Sequence, residues 1–306
     1  GVGSAMPAAT ALRLCPHAVV IPPDHAAYSE ASRRVWARVG THLDRLQRMG
    51  IDESYADLTG TPRPVAVLRA AVADVLEATG VQLSVGLGPS RLVAKCCSDV
   101  GKPAAFTAMG REEAARRFAS AGVRRLPGIG PRSAERLAAM GIHRIGELQA
   151  ADPDDLARRF GERWGRALHA LGWFHDDSPV VTDPGPAKSV SSEVTFDEDI
   201  TDPAAMEETL GHLSERLEGS VHRGGRRGRT VAIKVRLSDW TTVTRARTLP
   251  GPVDDAATIA RVARTLLREY APPLPVRLLG VRLAGFVDEA ARAPAPGLPD
   301  PAGQMS

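Results

Sequence analysis

Two adjacent carboxylates, Asp52 and Glu53, stand in the run Gly-Ile-Asp-Glu-Ser-Tyr-Ala-Asp-Leu-Thr at 50–59. Neighbouring side chains of a regular strand point to opposite faces, so these two converge only at a bent strand end or a hairpin tip. There they would offer hard oxygen ligands to Mg²⁺, which takes few protein ligands and leaves room for phosphate oxygens. A solvated acidic turn is the other reading of the same spacing.

Three further segments carry chemistry. Arg-Arg-Leu-Pro-Gly-Ile-Gly-Pro-Arg-Ser-Ala-Glu-Arg-Leu at 124–137 has a Gly-x-Gly turn opening a helix. Such a turn presents backbone N–H groups and the positive helix end to an anion. With Arg124, Arg125, Arg132 and Arg136 around it, this is a helix-hairpin-helix pattern, a sequence-neutral grip on DNA. Glycines placed only to turn the chain are the alternative. At 84–103 the turn Gly86–Pro89 leads into a helix with Arg91 and Lys95 on one face, and Lys102 follows the helix stop. A lysine there could meet a triphosphate as a point charge. Lastly, His222–Arg247 holds eight Arg/Lys against one acid, Asp239, whereas Glu193–Ser220 holds nine Asp/Glu against Arg216. Lys234 and Arg236 share one strand face and Arg245 and Arg247 another. A basic sheet surface suits a phosphate backbone, and a solvated charged face is the plainer reading.

Elements must position these groups. Residues 1–24 are short and turn-rich, ending in an apolar run at 18–21. A helical pattern covers 24–47, a strand or hairpin 51–59, a helix 64–79, a short strand 82–86 and a helix 90–100, which together make an α+β domain. Residues 110–174 read as helices punctuated by glycine. A polar linker with prolines follows at 175–186. Strands at 188–195, 229–238, 242–248 and 276–286, with helices at 203–219 and 255–270, give a β-α-β-β-α-β order. The tail from 288 to 306, rich in Ala, Pro and Gly, reads as disordered.

Composition excludes other classes. The 306 residues are 43% hydrophobic and 25% charged, which is globular. No apolar run reaches the ~18 residues of a membrane helix, so no membrane association is expected. No basic-then-apolar leader is visible at the N-terminus, and the chain opens Gly-Val-Gly without a methionine, which suggests processing or a piece of a longer reading frame. Cys15, Cys96 and Cys97 lack Cys-x-x-Cys spacing and fit a reduced cytoplasm. Aromatics are only 4%, so base stacking would not dominate a nucleic-acid contact.

Taken in order, these segments resemble the Y-family of translesion DNA polymerases and, within it, the DinB-like polymerase IV class. Gly-Val-Gly-Ser-Ala-Met-Pro at 1–7 and Leu-Cys-Pro at 14–16 look like the end of the family's fingers. Residues 51–59 are similar to its Ser-x-Asp-Glu catalytic motif, 84–103 to its lysine-bearing segment, and 126–130 to its thumb hairpin. Lys-Ser-Val-Ser-Ser-Glu-Val-Thr-Phe at 188–196 and Val-Arg-Leu-Leu-Gly-Val-Arg-Leu at 276–283 resemble the first and last strands of its DNA-gripping little finger.

The resemblance implies a division into a fingers remnant (1–24), a palm missing its first strand (25–109), a helix-hairpin-helix thumb (110–174), a linker (175–186) and a little finger (187–287). It implies that Asp52 and Glu53 are two of three carboxylates of a two-metal Mg²⁺ site, and that Lys102 touches the incoming deoxynucleoside triphosphate. Gly128, Ile129, Gly130 and Arg132 would hold primer-template DNA, joined by Lys188, Ser189, Lys234, Arg236, Arg245 and Arg247. The activity implied is error-prone transfer of nucleotides to a primer 3′-hydroxyl in damage tolerance. The family's first metal aspartate and its aromatic gate would fall ahead of Gly1, so the chain by itself is expected to be inactive. Gln47 and Gly50 replace the usual Glu and Ser, and Ser90-Arg91 the usual Asn-Lys. No glutamine-anchored apolar clamp-binding peptide is visible in the tail, so a sliding-clamp partner is not expected. The rival reading is a non-catalytic Y-family-like scaffold in a mutagenesis complex.

Overall fold

Local sequence accounts for most elements of the computed structural model, which describes residues 1–287. The expected disordered tail lies outside the described residues. Helix α1 (Ala8–Leu14) buries no side chain. Helix α2 (His25–Val39) starts where the Asp24 carboxylate accepts the Ala27 N–H, at 2.9 Å, and it buries Val35 and Val39. The helical pattern suggested continuation to Gln47. Instead the chain leaves the helix at Gly40, where the Thr41 hydroxyl donates to the Arg38 carbonyl, at 2.8 Å. Gln47 therefore belongs to a strand, β1 (Leu46–Arg48), antiparallel to β2 (Ser54–Ala56) with Arg48 opposite Ser54.

Helix α3 (Pro64–Thr79) has the bounds its sequence predicts, from proline in the first turn to Gly80 at the cap. A parallel β-α-β unit follows: β3 (Val85–Leu87), α4 (Arg91–Ser98) and β4 (Phe106–Ala108). Strand β4 was not anticipated, since three residues show no alternation. Two glycines allow α4 to lie on β3. A Cβ at Gly86 would stand 1.9 Å from the Ala94 carbonyl oxygen, and one at Gly88 would stand 2.5 Å from Val93 Cγ1.

Helices α5 (Arg111–Arg117), α6 (Pro131–Ala138), α7 (Ile145–Ala150), α8 (Pro153–Phe160) and α9 (Glu162–Gly172) confirm the all-helical reading of 110–174. Their core contains Leu126, Leu137, Ile145, Leu148, Leu156, Leu168 and Phe174. Leu92, Val93, Cys96 and Cys97 of α4 belong to that same core. A smaller core joins Val35, Val39, Leu43, Leu68 and Val75 from α2, α3 and the turn between α2 and β1. The chain accordingly divides at 184/185 into two compact units, with the expected palm and thumb inside the first.

The second unit runs β5 (Ser189–Ile200), α10 (Pro203–Arg223), β6 (Arg227–Leu237), β7 (Thr242–Val253), α11 (Ala256–Tyr270) and β8 (Val276–Val287). This is the predicted β-α-β-β-α-β order. The sheet is antiparallel throughout, in the order β5-β8-β6-β7. Val231, Ile233, Val235 and Leu237 alternate toward the helices and pack with Leu210, Leu213, Ile259 and Leu266. Among the described residues no helix is long and apolar enough to cross a membrane.

Candidate functional site

Asp52 and Glu53 occupy the turn between β1 and β2, the bent geometry that adjacent carboxylates need. The Met49 N–H donates to the Glu53 carbonyl, at 2.9 Å, and closes the turn. The Ile51 carbonyl accepts from the Ser32 hydroxyl and from Trp36 Nε1, the latter at 3.0 Å, which fastens the tip to α2. Both acids are exposed, and both line a cleft of about 820 Å³ shared by the β1–β2 and β3–β4 sheets.

Helix α4 supplies the cleft with cations. Lys95 forms an ion pair with the Glu53 carboxylate. Arg91, one turn earlier, lies over the Tyr55 ring, at 4.4 Å from its centroid. Burial pushes the Tyr55 phenol above its usual range, with Arg91 and Lys95 pulling the other way. For Lys95, burial works against the charge, but the Glu53 hydrogen bond and the Asp99 and Glu53 charges leave its pKa raised. Lys102 lines the same cleft and pairs with Asp99 at 2.7 Å. The α4 spacing was legible in sequence as Arg91 and Lys95 on one face. That Glu53 is the acid they face was not.

A second feature escaped sequence reading. Residues 176–181, inside the expected linker, are tied to the first unit. Asp176 accepts the Leu92 N–H at the start of α4, at 2.9 Å, and also bonds Ser178. Arg91 donates to the Pro179 carbonyl at 3.2 Å, and the Val181 N–H donates to the Gln47 side chain at 2.9 Å. Burial raises the Asp176 carboxyl, but the Ser178 and Leu92 hydrogen bonds outweigh it and hold the group below the usual range. Gln47, a departure from the family pattern, is thus an anchor for this strap.

Among the described residues no three His, Cys, Asp or Glu side chains cluster to hold a metal. The donor set of Asp52 and Glu53 still fits Mg²⁺, which is commonly held by one or two carboxylates together with phosphates and waters. The Asp52 carboxylate makes no hydrogen bond or ion pair within the described chain, so its oxygens are open to a cation.

In the helical region the turn Leu126–Gly130 leads into α6. Gly128 has φ +92°, a conformation that L side chains rarely adopt, and Ile129 is buried behind the turn. The Ile129 N–H is taken by the Leu126 carbonyl. The N–H groups of Gly130, Arg132 and Ser133 find no acceptor among the described residues and open outward. Two of the four arginines are committed: Arg125 lies over Phe118 and Arg136 over Phe160. Arg124 and Arg132 are exposed and unpaired among the described residues.

The second unit distributes its basic residues over both sheet faces. Register places Lys234 and Arg236 opposite Thr244 and Thr242, on the face away from the helices, with Arg282 opposite Ala232 on that same face. Apart from the buried Leu278, opposite Thr195 and Arg236, the rest of this face is small or hydroxyl-bearing, as at Ser189, Ser191, Thr195, Thr230, Thr244 and Gly280. Arg245 and Arg247 share the opposite face, opposite Ile233 and Val231. There Arg245 lies over Tyr270 of α11 and Arg247 pairs with Glu269 at 2.6 Å. The single basic footprint expected from sequence is thus split, because the hairpin's alternation sends these two pairs to opposite sides. Lys188 directly precedes β5, beside Ser189 at the end of the outward face.

Comparisons with known proteins bear on this geometry. The sequence matches the impB/mucB/samB family over residues 1–99, the impB/mucB/samB family C-terminal domain over 187–295, and the DNA polymerase-iota thumb domain over 124–172. DNA polymerase IV of Caulobacter vibrioides is 38% identical, over 94% of this chain and 72% of that protein. DNA polymerase IV of Methanoculleus marisnigri is also 38% identical, over 93% and 79%. A solved Y-family DNA polymerase chimera shares the fold, with a TM-score of 0.82 at 22% identity, over 94% of this chain and 84% of that one.

Proposed function

The chain belongs to the DNA polymerase IV family, and we propose that it performs template-directed transfer of deoxynucleotides to a primer 3′-hydroxyl, tolerant of damaged templates. The observation that carries this reading is the pairing of an acidic turn with a cationic helix in one cleft: Asp52 and Glu53 face Lys95, Arg91 and Lys102. In the reaction the 3′-oxygen bonds to the α-phosphorus, the bond to the β-phosphate bridge breaks, and pyrophosphate leaves.

Asp52 and Glu53 would hold the divalent cation, for which Mg²⁺ suits the oxygen donors. When bound, the cation stabilises charge on the phosphoryl and attacking oxygens. Lys102 neutralises the triphosphate, exchanging Asp99 for a phosphate oxygen. Lys95 keeps the Glu53 carboxylate fixed while it is unloaded. The turn at 128–130 and the start of α6 offer N–H groups and Arg132 to a duplex backbone. The outward face of the second unit, with Lys188, Ser189, Lys234, Arg236 and Arg282, tracks DNA through phosphates rather than bases. Arg245 and Arg247 contribute from the edge strand after leaving their α11 partners.

The non-catalytic scaffold is the weaker reading, since the relatives that align over most of the chain are polymerases and the acidic pair is present with its cationic partner. Since the family's first metal aspartate is expected ahead of Gly1, the test fuses a family N-terminal segment to the chain and follows extension of a labelled primer on an undamaged template and on one with an abasic site. Asp52→Asn is expected to lower incorporation at least about a thousandfold while primer-template binding stays within twofold. Undiminished extension by this variant would place the catalytic carboxylates elsewhere.

A further inference from the structure

Glu193 and Lys234 sit on strands that are not neighbours. Glu193 is on β5, Lys234 is on β6, and β8 runs between them. Strands two apart are separated by about 9.6 Å, twice the usual spacing, so such a pair meets only if nothing stands on the strand between. The residue between is Gly280, in register with both. A Cβ there would lie 3.0 Å from Glu193 Cβ and 3.5 Å from Lys234 Cβ. The lysine instead crosses the bare backbone and reaches the Glu193 carboxylate at 2.9 Å.

The pair lies on the outward face, with side-chain exposures of 48% for Glu193 and 36% for Lys234. From Ser189 to Thr195 and across the paired positions of β8, β6 and β7, Glu193 is the single acid on that face. Its outward company is hydroxyls, small residues, the buried Leu278 and the cations Lys234, Arg236 and Arg282. A carboxylate on the β5 edge that reaches across Gly280 to one of the few cations of this face is costly for polyanion binding. An exposed pair of this kind is worth little to folding. The sheet does not need it, since Ser and Thr serve at the flanking positions of the same strand.

We infer that Glu193 is a built-in competitor for the DNA phosphate at Lys234. This inference rests on the reading of the outward face as a DNA surface and adds a function to it. With DNA absent, Glu193 holds Lys234 flat across Gly280. With DNA present, a backbone phosphate must displace the carboxylate, which then repels the duplex from the β5 side of the contact. The acid limits affinity and shortens the lifetime of the complex, so the polymerase lets go of its template readily.

The experiment is equilibrium and dissociation measurement on a labelled primer-template duplex across a salt series, with the full chain. Glu193→Gln is expected to tighten binding about fivefold at roughly 100 mM salt, to slow dissociation by a similar factor, and to steepen the log–log salt slope by about 0.9. Glu193→Thr, matching Thr195 on the same strand, should do the same if the glutamine variant folds poorly. Adding Lys234→Ala to either variant should abolish the gain, because the gain runs through the freed ammonium. Unchanged affinity and slope in both Glu193 variants would overturn the inference, as would a gain that persists in the double variant. Arg236→Ala with Arg282→Ala tests the underlying surface separately. A loss of binding there with no effect at Glu193 removes the competitor and keeps the face, whereas no loss removes the face itself.

Discussion

Lys95 pairs with Glu53 across 42 positions of sequence, so the helix after β3 fixes one of the two acids on the turn between β1 and β2. Removing the ammonium should leave that carboxylate free to swing. In the fusion carrying the family's N-terminal segment, Lys95→Met is therefore expected to lower nucleotide incorporation about tenfold to a hundredfold and to raise the Mg²⁺ concentration needed for half-maximal rate, with DNA affinity unchanged. Lys95→Arg should recover part of the loss. The pKa of Lys95 is raised above its ordinary 10.5, so its contribution to stability is fully present below that value and is lost only as pH rises through the higher folded value. The difference in melting temperature between the parent and Lys95→Met should accordingly be flat from pH 6 to about 9. A difference that shrinks across that neutral range would contradict the pairing.

The fit of α4 on β3 leaves no room for a methyl group at Gly86, where a Cβ would meet the Ala94 carbonyl oxygen at 1.9 Å. Backbone cannot yield as a flexible side chain can. Gly86→Ala should cost about 3 kcal/mol or more in urea unfolding of the first unit. An unfolding midpoint shared with the parent protein would show that the helix can shift freely.

At Asp176 the folded-state pKa is lowered from 3.8, so its stabilising effect is present above that pH and fades as pH falls through the lower folded value. Asp176→Ala should loosen residues 176–181 and cost about 1–2 kcal/mol at pH 7, as losing a helix cap does. The reporter is the Leu92 amide, whose hydrogen exchange should speed up while amides in β6 stay unchanged. Acidification of the parent below about pH 3.8 should reproduce the same local effect.

Hydrogen exchange should also rank the sheets. Strands β1 to β4 are three residues each and form separate two-stranded sheets with open edges. Strand β6 has a partner on both sides and buries Val231, Ile233, Val235 and Leu237. Protection in 54–56 and 85–87 should be lower than in 231–237 by at least about a hundredfold, given that edge pairs open locally. Equal protection would mean that the short sheets are held by more than their own ladders.

The second unit was legible in sequence because its strands are eleven or twelve residues long and rich in apolar residues, and each of its helices opens on an aspartate cap, Asp202 or Asp255. Even there, the charge count alone could not say that α11 takes up Arg247 and Tyr270 backs Arg245, since both partners come from a distant helix. In the first unit the acidic turn was legible as a bend, because adjacent carboxylates demand one. Strand β4, the end of α2 at Gly40 and the strap at Asp176 were not. A three-residue strand has no period to read, and a carboxylate that caps a helix 84 positions away leaves no local trace.

The two-unit division has a consequence for descent. The core of the second unit is drawn wholly from 190–286, and no helix or strand spans the junction at 184/185. A genetic exchange placed at that junction leaves each of the three hydrophobic cores drawn from one parent. The cleft of the first unit and the sheet of the second can therefore come from different ancestors, so the two halves of a sequence need not share one history.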